Sequence, residues 1–93
     1  MAPITRLVLD VLKPHDPGVV DFTTELGDLE AVEAATATVV EVDETVKTLR
    51  VTLEGEALSI DAIREEIQDL SGSIHSIDQV ACGSRAIDDP WLG

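Results

Sequence analysis

The sequence predicts an α+β sandwich of element order β-α-β-β-α-β. Three observations predict it. Two segments carry apolar residues at helical spacing, and four others read as strands. The two halves also repeat each other at an offset of 41 or 42 residues.

Residues 4–13, "ITRLVLDVLK", form the first strand, with Leu7, Leu9 and Val11 on one face and Arg6, Val8, Asp10 and Leu12 on the other. The strand stops at Pro14, which has no N–H to donate. Asp16 followed by Pro17 predicts a helix entry, with Asp16 as N-cap and proline at the first helical position. The helix then runs to about Leu29, its stripe being Val19, Phe22, Leu26 and Leu29.

Residues 32–56 are rich in Val and Thr and read as two strands around a turn at Asp43-Glu44-Thr45. Residues 58–72 predict the second helix, with Ser59 as N-cap, Gly72 as the stop, and a stripe of Ile60, Ile63, Ile67 and Leu70. The last strand is "SIHSIDQVACG", residues 73–83. The stripes 19/22/26/29 and 60/63/67/70 match, as do the strand faces 7/9/11 and 49/51/53. Two β-α-β halves with right-handed crossovers give a four-stranded antiparallel sheet with both helices on one face, the ferredoxin-like sandwich. Residues 1–84 form this single domain, and 85–93 form a C-terminal tail in which Trp91 has even claims to be frayed or to pack on its own or a neighbouring subunit.

A chain of 93 residues is one small domain, burying about 60–65% of its unfolded surface. Hydrophobic residues make up 44%, but aromatic residues only 2%, so aliphatic side chains fill the core. Nineteen acids against six bases, only two of them lysines, give a net charge of −13. Such a surface repels nucleic-acid phosphate and anionic membrane, so neither is an expected partner. Few lysines among many carboxylates, on a well-filled core, fit a salt-adapted protein whose self-repulsion is screened by concentrated cations. One cysteine, Cys82, excludes an intrachain disulfide and a Cys-based zinc site, and it is expected to fill the core as a small residue. No apolar run nears 18 residues and "MAPITR" has no signal-peptide core, so a soluble cytoplasmic protein is expected.

The predicted topology leaves one sheet face without helices. Arg6, Val8, Asp10, Leu12, Thr48, Arg50 and Thr52 lie on it, joined by Thr36, Thr38, Val40 and Val42 or by the opposite set. A half-apolar face of this kind usually meets a partner, and a second copy is the commonest one.

No phosphate-binding glycine loop, HExxH or nucleophile elbow is present, and no acid–base or nucleophile set supports an enzyme. One constellation remains. The first and fourth strands are neighbours in this fold, which puts His15 and Asp16 at the same end as His75, with Asp10 and Asp78 further along. Two imidazoles with a carboxylate suit zinc, nickel or copper; Asp10 and Asp78 suit a harder cation such as calcium. The plainer reading makes Asp16 a helix cap, His15 a loop residue, His75 a strand histidine, and Asp10 the partner of Arg50 or, next, Arg6. The hairpin acids Glu41, Asp43 and Glu44 read mainly as solvated.

"RLVLDVLKPH", "LEAVEAATATVVEVD" and "GSIHSIDQVACG" together resemble the archaeal domain of unknown function 211 family over about residues 4–84. The resemblance implies a ferredoxin-like fold, ring-like or higher homo-oligomers, no established enzymatic activity, and a suggested binding of metal, including calcium. The excess of acids and the "DDPWLG" tail depart from the family pattern and fit a halophilic member. The leading expectation is therefore a non-enzymatic homo-oligomer that assembles through the open sheet face and strand edges and holds a cation or small ligand between subunits. The alternative is a divalent-metal-binding protein using His15, His75 and nearby carboxylates.

Overall fold

The computed structural model describes residues 2–84. The elements are β1 (Ile4–Pro14), α1 (Val19–Gly27), β2 (Ala34–Val42), β3 (Val46–Glu54), α2 (Ile60–Asp69) and β4 (Ser73–Cys82). The sheet order is β2-β3-β1-β4, every neighbouring pair antiparallel. This is the expected ferredoxin-like α+β sandwich. The tail and Trp91 lie outside the described residues.

The core forms because the period-2 faces of the central strands meet the helical stripes. Leu7, Leu9 and Val11 of β1 and Leu49, Val51 and Leu53 of β3 are buried against Phe22 and Leu26 of α1 and Ile63 and Ile67 of α2. Each such side chain contributes about 1.5–3 kcal/mol by leaving water. The outer members of both stripes, Val19, Leu29, Ile60 and Leu70, pack half-buried around this centre. From β2, Ala35 and Ala37 pack against this core, small enough for α1 to sit close.

The first helix begins later than expected. Its N-cap is Gly18, not Asp16, and no side chain caps it. The first helical bond is Phe22 N–H to the Gly18 carbonyl, at 3.0 Å, so Pro17 stays in the loop, joined to Asp16 by a cis peptide. The second helix starts as expected: the Ser59 side chain accepts from Ala62 N–H at 3.2 Å. It ends with Ser71 in the left-handed region (φ 69°) and Gly72 N–H on the Ile67 carbonyl at 2.8 Å.

Register decides what the open face displays. Across β3 and β1, Glu54 stands opposite Arg6, Thr52 opposite Val8, Arg50 opposite Asp10, and Thr48 opposite Leu12. On β2, Thr36 and Thr38 pair with Thr52 and Arg50, after which the register shifts around Val40. This bulge moves Glu41 onto the open face opposite Thr48 and returns Val42 to the helix side opposite Lys47. The second strand therefore contributes Thr36, Thr38 and Glu41, and neither Val40 nor Val42 continues that row. The open face is mainly polar as a result. Its large apolar members, Val8 and Leu12, are already half-buried.

Candidate functional site

The five residues singled out from sequence do not converge on one place. Asp10 sits mid-strand in β1, between Arg50 of β3 and Ser76 of β4. Asp78 joins it: the Ser76 hydroxyl donates to Asp78 Oδ1 at 2.8 Å, which brings that carboxylate to the Asp10 row of the open face. The row therefore reads Thr38, Arg50, Asp10, Ser76 across the four strands. Asp10 and Arg50 are direct cross-strand partners, as parity predicted. They make no ion pair, however; among the described residues the ion pair recorded is Arg6 with Glu54, at 3.5 Å.

His15 turns the other way. Its Nε2 donates to the Asp43 carbonyl of the β2–β3 turn at 2.9 Å, because β1 ends beside β3, where Pro14 pairs with Val46. His75 lies on β4 within the register shift between the Asp10–Ser76 and Val11–Ile74 pairs, and Asp78 lies within the shift between Val8–Gln79 and Leu9–Ile77. Among the described residues no group of three or more His, Cys, Asp or Glu is placed to hold a metal ion. Asp16 neither caps the helix nor joins a ligand set; its charge faces Lys13.

Lys13 is the residue that sequence reading missed. It is 1% exposed, the one buried charged side chain among the described residues. Parity placed it on the core face after Leu7, Leu9 and Val11. Its Nζ donates to the Pro14 carbonyl at 2.6 Å and to the Pro17 carbonyl, and it lies 5.8 Å from the Phe22 ring centroid. The segment "KPHDPG" thus wraps its own carbonyls around the ammonium. Burial, with the Lys47 charge opposite, holds the Lys13 pKa below its ordinary range, and Asp16 acts against this. Nothing in that enclosed geometry gives a substrate access to the amine.

The exposed apolar surface lies elsewhere than expected. Among the described residues, Val39, Val40 and Val42 on β2, Ile77 and Val80 on β4, and Val20 on α1 are the large apolar side chains most open to solvent. Val39 is opposite buried Leu49, and Ile77 and Val80 are opposite buried Leu9 and Leu7. They therefore lie on the helix side of the sheet, past the margins that the two helices cover. Cys82 is exposed on the same edge strand rather than filling the core, since it pairs with Ile4 at the end of the sheet.

No helix among the described residues is long and apolar enough to cross a membrane.

Comparison with known proteins agrees with these motifs. The model of the DUF211 family, described as an uncharacterized ArCR, matches residues 5–91. The match runs past the described residues into the tail, so most of the "DDPWLG" segment falls within the family's span. The chain is also 42% identical to the uncharacterized protein MJ0319 of Methanocaldococcus jannaschii, over 96% of this chain and 92% of that protein.

Proposed function

The chain belongs to the DUF211 family, and on that footing we propose that it is a non-enzymatic protein that works as a homo-oligomer, its copies joined through the edges of β2 and β4. One observation carries this reading: among the described residues, the large exposed apolar side chains apart from Val20 line the two edge strands. Charge supports it. In a chain with net charge −13, β2 carries the single acid Glu41 and β4 the single acid Asp78. An edge strand left this uncharged offers unpaired N–H and C=O groups to another chain.

Topology supports a head-to-tail contact. β2 and β4 run in opposite directions, because three antiparallel pairings separate them. A second copy in the same orientation therefore sets its β4 antiparallel to the first copy's β2 and extends the sheet. Val39 and Val42 then meet Ile77 and Val80 on the helix side. A heterologous contact of this kind uses both edges in one interface and closes into a ring when its rotation permits.

Light scattering in molar KCl tests the reading. The wild type is expected at several times the monomer mass, and Val42→Glu/Ile77→Glu, which places carboxylates in that interface, at a much smaller mass. A monomeric wild type would overturn the proposal.

A further inference from the structure

We infer that the open sheet face is a two-fold self-complementary surface that docks a second copy of this chain, back to back. This rests on the reading of the protein as self-assembling, but it uses a different surface from the strand edges.

The register of β1 and β3 sets the symmetry. A two-fold axis lying parallel to the strands, between β1 and β3 and just above the face, exchanges the two strands and keeps every residue at its own height. Each β1 residue then faces the β3 residue registered opposite it, now from the other copy. Asp10 faces the second copy's Arg50, and Arg6 faces its Glu54, while Val8 and Leu12 meet the methyl-bearing Thr52 and Thr48. By symmetry every one of these contacts is made twice.

The outer strands obey the same rule. Thr38 of β2 comes over Ser76 and its bonded Asp78, Thr36 over Gln79, Glu41 over Ser73, and Ala34 over Ala81. In a chain carrying nineteen acids, this placement sets no carboxylate over another carboxylate. Opposite charges in register steer docking and reject other alignments.

Two further observations favour a second copy as the occupant. Arg50 is exposed beside half-buried Asp10, yet the two do not pair within the chain, which leaves both charges available across the axis. The area also suffices. Four strands spaced about 4.8 Å apart, each with about nine residues rising about 3.3 Å, present about 500 Å². Two such faces reach the roughly 1,000 Å² that a specific interface needs. Packed sheets stand about 10 Å apart, a gap that an arginine and an aspartate span together.

The test separates this surface from the edges. The masses of Val42→Glu/Ile77→Glu protein, that protein with Arg50→Asp, and that protein with Asp10→Arg/Arg50→Asp are compared by light scattering, with circular dichroism confirming the fold. The edge-blocked protein is expected at twice the monomer mass. Arg50→Asp sets Asp10 against a like charge and is expected to return a monomer. The double exchange reverses both signs and is expected to restore the dimer. An edge-blocked protein that is monomeric at high concentration overturns the inference, as does a dimer indifferent to Arg50→Asp. If edge blocking leaves the wild-type mass unchanged, the edge reading fails instead. Loss of mass on Arg50→Asp then still supports the face, and no loss overturns it.

Discussion

Lys13 and Lys47, the chain's only lysines, are direct cross-strand partners at the end of β1 and β3. Two like charges side by side are costly, and the arrangement persists because the Pro14 and Pro17 carbonyls take up the Lys13 ammonium.

The first prediction concerns that ammonium. Burial, and then Lys47, lower the Lys13 pKa in the folded chain. As pH rises, the native state releases this proton before the unfolded state does. Between the lowered native value and the ordinary 10.5, the unfolded state holds more protons, so this group's contribution to stability rises with pH. Lys13→Met keeps the stem over Phe22 and removes the titration, so the alkaline rise should flatten in urea unfolding measured at several pH values. Lys13→Ala also removes the stem and should cost about 2–3 kcal/mol at neutral pH. An alkaline profile unchanged by Lys13→Met would show that the ammonium is not the titrating group.

Gly55 is the position where the fold leaves no room for a side chain. A Cβ there would lie 2.1 Å from the Ala31 carbonyl oxygen. The strap around it cannot move aside cheaply, because Gly55 N–H and Leu58 N–H bond to the Thr5 and Ile4 carbonyls of β1 at 3.1 and 2.8 Å. Gly55→Ala should therefore cost about 3 kcal/mol, the upper range for overpacking, read from the denaturation midpoint at unchanged slope. Gly18→Ala is the control, since nothing stands within 4 Å of a Cβ at that position.

Ser71 invites the opposite change. It holds φ 69° at the end of α2, a conformation that costs a residue with a Cβ and that glycine adopts freely. Ser71→Gly should stabilise the protein by about 0.5–1 kcal/mol, which thermal melting would register as a higher midpoint. A lower midpoint would mean that the Ser71 side chain supports the turn.

These residues also show what the sequence disclosed and what it withheld. Leu7, Leu9 and Val11 announced their strand face, and the stripe from Ile60 to Leu70 announced its helix, because periodicity is a local property and burial follows it. That Asp10 stands opposite Arg50 followed from parity, both being mid-strand on the open face, but the ion pair expected between them does not form within the chain. The Val40 bulge did not follow from parity, because an extra residue in one strand is visible only against its partner. Lys13 continues the buried parity of its strand although lysines ordinarily face solvent; the deciding partners are carbonyls of a loop whose path depends on tertiary structure. The same loop moved the helix start from Asp16 to Gly18. On β4, alternation was legible, whereas the register shifts at His75 and Asp78, which set where those side chains stand, arise from pairing with β1.

Glu66 provides a final prediction, on charge crowding. Half-buried on α2, it is pushed toward the protonated form first by burial and then by Asp69, Glu25 of the facing helix, and Glu65. As pH climbs from the ordinary 4.5 through the raised native value, the unfolded state gives up this proton before the native state does. Stability is lost across that window, and the penalty is fully present at neutral pH. Glu66→Gln removes it and should stabilise the protein by about 0.5 kcal/mol at low ionic strength. For a domain of this size that raises the melting midpoint by about 2–4 °C. The gain should shrink in molar KCl, where the screening length falls to about 3 Å and the neighbouring carboxylates no longer reach Glu66 through solvent. The wild type should itself melt higher as KCl is added, since the whole chain carries −13. Melting of both proteins along one salt series checks the two effects together. Parallel curves for wild type and Glu66→Gln would assign the penalty to burial alone and leave the acidic neighbours without a part in it.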